Sequence, residues 1–221
     1  MQKPELDYEP SMPVAIRRAT ELFGDRPYIV MPDRQMTFAQ VDAASRRVAK
    51  EMLARGIGKG TRVAIQFSYS TEWAIAFFAA TRIGALCLPM SSVYKPAELR
   101  KTAIHGDVDT LIIPRVLVGK QHLPYVAEAF PWLAEAGAAP FHSAEVPYLR
   151  QIWVAGERHD DDPAWVDTID LSIDATSALA DGIDDAVLDA VEAQVTPADR
   201  LCVIHTSGTT GYPKGVIHTH G

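Results

Sequence analysis

The sequence has little cysteine, no long apolar run and no excess of basic residues. Its two cysteines, Cys87 and Cys202, each lie inside an apolar run, which excludes a disulfide framework and favours buried, inert thiols in a reducing compartment. No stretch approaches the roughly 18 apolar residues of a membrane-spanning helix. The opening residues MQKPELDYEP lack the apolar core of a signal peptide. We therefore expect a soluble cytoplasmic protein without a transmembrane segment.

The formal net charge of -7 argues against the basic surface by which proteins usually bind nucleic acid, so we expect no nucleic-acid partner. The acidity is local, because residues 157–192 contain 12 acidic residues and one basic residue, Arg158, a balance of -11. The remainder therefore carries -7 minus -11, or +4, which suits an anionic ligand. Blocks of like charge usually face solvent, so the acidic segment is predicted to be a solvated face.

Short apolar strands alternate with amphipathic helices along most of the chain. Periodicity predicts strands at 28–31, 62–67, 85–88, 110–113, 151–155, 200–205 and 216–219. It predicts helices at 13–23, 37–52, 71–82, 96–106, 125–136 and 184–194. Residues 137–148 and 157–181 are predicted to be mostly loop. This order indicates an α/β fold with a mostly parallel sheet covered by helices.

The most informative segment, TSGTTGYPKG at 206–215, directly follows the last long apolar strand. Glycine allows positive φ and lets backbone N–H groups approach phosphate oxygens closely, short hydroxyls donate hydrogen bonds, and lysine adds a charge. These properties suit a polyphosphate ligand. The residues that we expect to contact ATP phosphates are Thr206, Ser207, Gly208, Thr209, Thr210, Gly211, Lys214 and Gly215.

Two other interpretations of this segment are weaker. The Walker loop requires Gly, four residues and then Gly-Lys-Ser/Thr, whereas here Pro213 precedes the lysine and Gly215 follows it. An ordinary Gly- and Thr-rich surface turn would not need ten residues in this order behind an apolar strand. The segment therefore predicts a phosphate-binding loop that is not of the Walker type.

Residues 206–215 resemble the signature loop of the adenylate-forming superfamily, which includes acyl-CoA synthetases, luciferases and nonribosomal peptide adenylation domains. Two shorter segments are similar to the family's first two motifs. MTFAQV at 36–41 has a Thr-aromatic pair opening a helix, and ATRIGALCLPM at 80–90 has a glycine that lets a helix pack tightly onto the next strand. The resemblance covers nearly the whole sequence, although the two shorter segments could also reflect plain core packing.

The resemblance implies an ATP-dependent carboxylate–CoA ligase, with a fatty acid as the expected substrate. The carboxylate attacks the α-phosphate of ATP to give an acyl-adenylate and pyrophosphate, and the thiol of CoA then takes the acyl group. Mg²⁺ would neutralise the leaving pyrophosphate. A fatty acyl-AMP ligase that loads a carrier protein is an alternative, as is a non-catalytic truncated relative. Neither a catalytic residue nor a metal ligand is assigned within residues 1–221.

The resemblance also implies that residues 1–221 are the N-terminal part of the AMP-binding domain, within the large N-terminal domain of the acyl-CoA synthetase/luciferase-like fold. The adenine, ribose and Mg²⁺ contacts and the C-terminal domain of such enzymes lie beyond the signature loop. We therefore expect residues 1–221 to end after the phosphate-binding loop, to lack the C-terminal domain, and to be inactive alone.

Three further groups of residues are interpreted structurally. Cys202 and His205 are three apart on a strand and point to opposite faces, which argues against a zinc site with His218 and His220. Asp160–Asp162 are predicted to form a solvated loop rather than a cation site. Core packing is favoured over an acyl pocket for a group of aromatic residues: Phe67, Tyr69, Trp73, Phe77 and Phe78.

Overall fold

A computed structural model describes residues 8–206 and 214–221. The helices are α1 Met12–Phe23, α2 Phe38–Ala54, α3 Thr71–Arg82, α4 Pro96–His105, α5 Leu123–Ala129, α6 Ala178–Asp181 and α7 Asp185–Glu192. The strands are β1 Pro27–Val30, β2 Gln35–Thr37, β3 Arg62–Ile65, β4 Leu86–Pro89, β5 Thr110–Ile113, β6 Val116–Leu117, β7 Lys120–Gln121, β8 Gln151–Ala155, β9 Asp167–Ile169, β10 Arg200–Thr206 and β11 Lys214–Thr219. Within these described ranges, no helix combines the length and apolar character needed to cross a bilayer.

Seven strands form one sheet in the order β11-β10-β4-β3-β5-β8-β9. All neighbouring pairs are parallel except β10 and β11, which are antiparallel. Two small antiparallel pairs, β1-β2 and β6-β7, lie outside this sheet. The predicted α/β class with a mostly parallel sheet is confirmed.

Helices cover both faces of the sheet. Successive side chains of a strand point to opposite faces, so each strand contributes to two cores. Ile65, Ile112 and Trp153 belong to the core shared with α2 and α3. Leu88 and Leu111 belong to the second core, which includes residues of α4 and α5. The apolar strands of the sheet are therefore buried on both sides, as parallel sheets usually are.

The Thr-aromatic pair at 37–38 begins α2 as predicted. The Thr37 hydroxyl accepts from the backbone N–H of Gln40 at 3.2 Å, and the Gln40 side chain accepts from the backbone N–H of Thr37 at 2.9 Å. This reciprocal pair is a capping box, which satisfies two donors that a helix start leaves unpaired. Val41 and Val48 then bury one face of the helix.

Gly84 lies between α3 and β4 with φ of 73°. A Cβ at this position would lie 3.1 Å from Cγ of Lys59 and 3.2 Å from Cγ2 of Val195. Both the left-handed backbone and the close neighbours favour glycine here. The neighbours that crowd this position lie before β3 and after α7, so the predicted role of Gly84 in packing α3 onto β4 is not what the structure shows.

Two predicted regions differ from the structure. The helix predicted at 125–136 is α5 followed by a 3₁₀ helix at Pro131–Glu135, because Pro131 disfavours helical backbone at the preceding Phe130, which has ψ of 74°. The region predicted as loop at 157–181 contains β9 and α6. β9 has three residues and is fixed by pairing with β8, which local patterning does not reveal.

The acidic segment is not simply a solvated face. Asp185 contacts Lys50 at 2.7 Å, and Asp189 contacts Arg46 at 2.9 Å. These basic residues lie on α2, and their charges offset those of α7 beside it. Asp185 and Asp189 are still 72% and 53% exposed, so the predicted solvated face is confirmed for them. It is wrong for Glu192, whose side chain is 1% exposed and pairs with Arg82.

Candidate functional site

The predicted phosphate-binding segment connects the two antiparallel strands β10 and β11. Thr206 lies opposite Lys214, and His205 lies opposite Gly215. The Thr206 hydroxyl lies 3.4 Å from the carbonyl oxygen of Lys214, to which it donates. The structure therefore brings Thr206, Lys214 and Gly215 together at one end of the hairpin. The other predicted contacts lie outside the described residues: Ser207, Gly208, Thr209, Thr210 and Gly211.

This end of the hairpin lies at the carboxyl edge of the parallel strands. β10 runs parallel to β4, with Cys202 opposite Cys87, so Thr206 at the end of β10 lies at the same edge as the end of β4. Ligands in open α/β sheets bind in the crevice outside the carboxyl ends of the strands. The hairpin thus places the segment where such folds bind their ligands.

The hairpin strands offer positive charge and hydroxyls but no carboxylate. Their sequences are RLCVIHT and KGVIHT, and both Thr206 and Lys214 are exposed. The Lys214 ammonium therefore has no acidic partner within the described residues of the hairpin. This arrangement fits an anionic group such as a phosphate.

Gly215 does not have the expected positive φ, while its predicted phosphate contact stays a prediction. It lies in β11 and is not among the described glycines with positive φ. A Cβ here would lie 2.8 Å from Cγ1 of Val203, closer than van der Waals contact allows. The expectation of positive φ at Gly215 is therefore wrong, and glycine is required by the close approach of β10 to β11.

A buried polar network near this edge was not found from the sequence. Gln66 donates from Nε2 to the carbonyl oxygen of Ser91 at 3.0 Å, and its Oε1 lies 3.0 Å from Nε2 of His122. Because Gln66 Oε1 can only accept, His122 carries its proton on Nε2. The sequence indicates this network only through the position of Gln66 inside the apolar run RVAIQF, because a buried polar side chain needs hydrogen-bond partners.

The burial of His122 gives the folding stability a pH dependence. The imidazole is 3% exposed, and burial lowers its pKa to about 4 from roughly 6.5 in an unfolded chain. The unfolded state therefore binds a proton first as the pH falls. Stability from this group is complete above about pH 6.5 and is lost as the pH falls towards 4, by about 2 kcal/mol at pH 5.

The variant His122→Gln tests this dependence, because it keeps an N–H donor and cannot take up a proton near pH 5. Urea unfolding at about pH 7.5 and pH 5 measures how far the free energy of unfolding falls between the two pH values. This fall should be about 2 kcal/mol smaller in the variant than in the wild type. Equal losses in both proteins would show that His122 is not the titrating group.

A cleft of about 390 Å³ lies at the carboxyl ends of β3, β5, β8 and β9, and its lining includes Phe67, Ser70 and Asp170. Phe67 is buried, and Trp73 and Phe77 stack with ring centroids 5.1 Å apart and pack against the core. Their predicted core packing is confirmed, as is that of Phe78. Tyr69 is 90% exposed, so core packing is wrong for Tyr69, which lies in the turn before α3.

The histidines and carboxylates considered as metal ligands have other surroundings. Cys202 joins the core on the α2 and α3 side, whereas burial and nearby His105 of α4 lower the pKa of His205. The two side chains therefore lie on opposite faces, as expected. Asp162 accepts from both terminal nitrogens of Arg115, at 2.7 and 2.6 Å, which holds its pKa well below the usual range. The predicted solvated loop is wrong for Asp162.

The adenylate-forming fold has this arrangement. A mostly parallel sheet lies between two layers of helices and ends in a hairpin whose connection is rich in glycine and hydroxyls. The crystal structure of the anthranilate CoA ligase AuaEII in complex with anthranoyl-AMP has the same fold, with a TM-score of 0.71 at 23% identity. The likeness covers 100% of this chain and 36% of AuaEII.

The profile of the family described as AMP-binding enzyme matches residues 16–221, and the chain belongs to this family. YngI of Bacillus subtilis, which carries the provisional name of acyl-CoA synthetase, is 34% identical over 211 residues. FadD13 of Mycobacterium tuberculosis, a long-chain-fatty-acid–CoA ligase, is 28% identical over 188 residues. The matches cover 93% and 85% of this chain but 36% and 30% of those proteins, so the chain spans about a third of their length.

Proposed function

We propose that residues 1–221 supply the polyphosphate-binding part of an ATP-dependent carboxylate–CoA ligase. The carboxylate attacks the α-phosphorus of ATP, the bond to the bridging oxygen breaks, and pyrophosphate leaves. The thiol of CoA then attacks the acyl carbon and AMP leaves. The observation that carries this proposal is the segment 206–215, held between antiparallel strands at the carboxyl edge with Lys214 exposed and without an acidic partner in the hairpin.

The hairpin residues act on the leaving group in this proposal. The ammonium of Lys214 and the hydroxyl of Thr206 bind the β- and γ-phosphates together with the segment that joins β10 to β11. Fixed donors at the position where negative charge develops lower the barrier, because they need no reorganisation during the reaction. A carboxylate is already a nucleophile when ionised, so this first step requires no general base from the chain.

Mg²⁺ is implied by the resemblance, but the described residues of the hairpin do not form a site for it. Mg²⁺ prefers oxygen ligands, usually including one or two carboxylates, and β10 and β11 contain none. No step of the mechanism is therefore assigned to Mg²⁺ bound by these residues.

We propose a fatty acid as the carboxylate and CoA as the acceptor. FadD13 supports both by its name, and the name of YngI supports a CoA thioester as the product. AuaEII acts on anthranilate, so the shared fold serves aromatic acids as well. The identity of the acyl group is thus decided by an assay rather than by the fold.

The natural polypeptide that carries this sequence should convert fatty acids, ATP and CoA into acyl-CoA, AMP and pyrophosphate. A panel of fatty, short-chain and aromatic acids, with the thioester measured by mass spectrometry, tests this expectation. Turnover of aromatic acids alone would contradict the fatty-acid assignment, and acylation of a carrier protein but not CoA would contradict the acceptor. Absence of any product would favour a non-catalytic relative.

The polypeptide of residues 1–221 alone should form no thioester in the same assay. In-line attack requires the carboxylate and the α-phosphate to be held together, and a misplacement of about 1 Å can cost on the order of a hundredfold in rate. The hairpin binds one end of the triphosphate in this proposal and does not position the carboxylate.

A further inference from the structure

The two cysteines of the chain lie opposite each other where the hairpin joins the rest of the sheet. Cys202 of β10 is paired with Cys87 of β4, and both thiols are free and buried. Among the described residues, this is the one register position that joins β10 to β4, whereas β3 and β4 are joined at four positions. The cysteine pair therefore lies at the junction between the β10–β11 hairpin and the parallel sheet.

The two thiols also point to the same face of the sheet. Cys87 and Cys202 both belong to the core that contains Val63 and Ile65, while their neighbours Leu88 and Val203 belong to or pack against the opposite core. Neighbouring strands lie about 4.7–4.9 Å apart, which is inside the range of about 4.4–6.8 Å between the Cα atoms of disulfide-bonded cysteines. Register partners on neighbouring strands are therefore expected to have a Cα separation that a disulfide accepts.

We propose that Cys87 and Cys202 form a redox-sensitive dithiol, which a small-molecule disulfide converts to an intramolecular disulfide that fastens the β10–β11 hairpin to β4. Residues 1–221 contain two cysteines, so no other pairing competes within this segment. The pair lies four residues before Thr206 along β10. Oxidation would therefore fix the strand that leads into the proposed phosphate-binding segment.

The chemistry is an ordinary thiol–disulfide exchange. Cys202 is 5% exposed and Cys87 is 0% exposed, so the thiolate of Cys202 attacks a sulfur of oxidised glutathione first and releases one glutathione thiolate. The thiolate of Cys87 then attacks Sγ of Cys202 and releases the second glutathione thiolate. Two protein thiols are oxidised, one glutathione disulfide is reduced, and the two protons go to solvent or to the released thiolates.

The surroundings of the thiols make this exchange slow in the closed sheet. Burial raises the pKa of both thiols, and that of Cys87 is well above its usual value. Because the thiolate is the attacking form, reaction requires the hairpin to open transiently from β4. Local opening of this kind is expected where few backbone bonds hold an element at the edge of a sheet.

The test is an equilibration of residues 1–221 with reduced and oxidised glutathione, under native conditions and in concentrated urea. Acid quenching and intact mass measure the fraction with the intramolecular disulfide, which is about 2 Da lighter than the dithiol. If the native fold accepts the disulfide, the equilibrium constant for disulfide formation should be at least about tenfold higher in the native chain than in the urea-unfolded chain. The disulfide-bonded chain should also melt roughly 5–10 °C higher.

The variants Cys87→Ala and Cys202→Ala are matched controls, since each keeps one thiol. Both should form a glutathione adduct and neither should show the change in melting temperature. A native equilibrium constant equal to or below that in urea would overturn the proposal. So would a native wild-type chain that gains one or two glutathiones instead of closing the disulfide.

Discussion

The variant Arg82→Met should lower the free energy of unfolding by about 3 kcal/mol, because it leaves a buried carboxylate with weaker partners. Arg82 ends α3, and its Nε lies 2.7 Å from Oε1 of Glu192 on α7, with both side chains 1% exposed. Its other nitrogens donate to Ser45 Oγ at 2.7 Å and Asp42 Oδ1 at 2.6 Å on α2. One guanidinium thus joins three helices on the same face of the sheet.

The expected loss is at the lower end of the range of about 3–5 kcal/mol for a broken buried pair. Glu192 retains Arg17 at 2.9 Å and Arg46 at 3.7 Å, so its charge is partly compensated in the variant. The double variant Arg82→Met/Glu192→Leu should be less destabilised than Arg82→Met alone, since no buried charge then lacks its partner.

The matched control for Arg82 is the exposed pair between Arg100 and Glu145, whose side chains are 38% and 49% exposed. The variant Arg100→Met should change stability by less than about 1 kcal/mol, as exposed ion pairs usually do. Urea unfolding followed by circular dichroism measures all three variants. A loss for Arg82→Met no larger than that for Arg100→Met would contradict a structural role for the buried pair.

The variant Lys214→Ala should slow exchange of pyrophosphate into ATP by roughly 10- to 100-fold in the natural polypeptide. This reduction corresponds to the loss of one charged hydrogen bond to phosphate, worth about 1.5–3 kcal/mol. Stability should change by less than about 0.5 kcal/mol, because Lys214 is exposed at the start of β11 and exposed substitutions rarely cost more.

Lys120→Ala is the control for the loss of a positive charge, because Lys120 is exposed on the small β6-β7 pair. This variant should exchange pyrophosphate at the wild-type rate. If Lys214→Ala lowered the melting temperature strongly and exchanged normally, Lys214 would be a structural residue instead of a phosphate ligand.

The sequence predicts most elements of the sheet because burial on both faces leaves strong local patterns. The strands at 110–113 and 151–155 agree with β5 and β8 to the residue. β9 escapes prediction because it has three residues and is defined by its pairing with β8, where Asp167 lies opposite Trp153. A sequence pattern records the burial of a strand but not the partner that orders a short one.

The candidate site is predicted in its residues more fully than in its geometry. The order of residues 206–215 indicates a phosphate-binding segment, but it does not reveal that β11 runs antiparallel beside β10. That pairing explains Gly215 by its approach to Val203 instead of by positive φ. The contact between Gln66 and His122 joins residues 56 positions apart, and no local pattern reports a contact at that separation.

Carboxylate-dependent exchange of labelled pyrophosphate into ATP tests the central claim most directly, because this exchange requires reversible formation of an acyl-adenylate and does not require CoA. The natural polypeptide that carries this sequence should show label in ATP when a fatty acid is added, and none without an acid. Label that enters ATP equally with and without acid, or no label with any acid of a broad panel, would contradict adenylation as its chemistry.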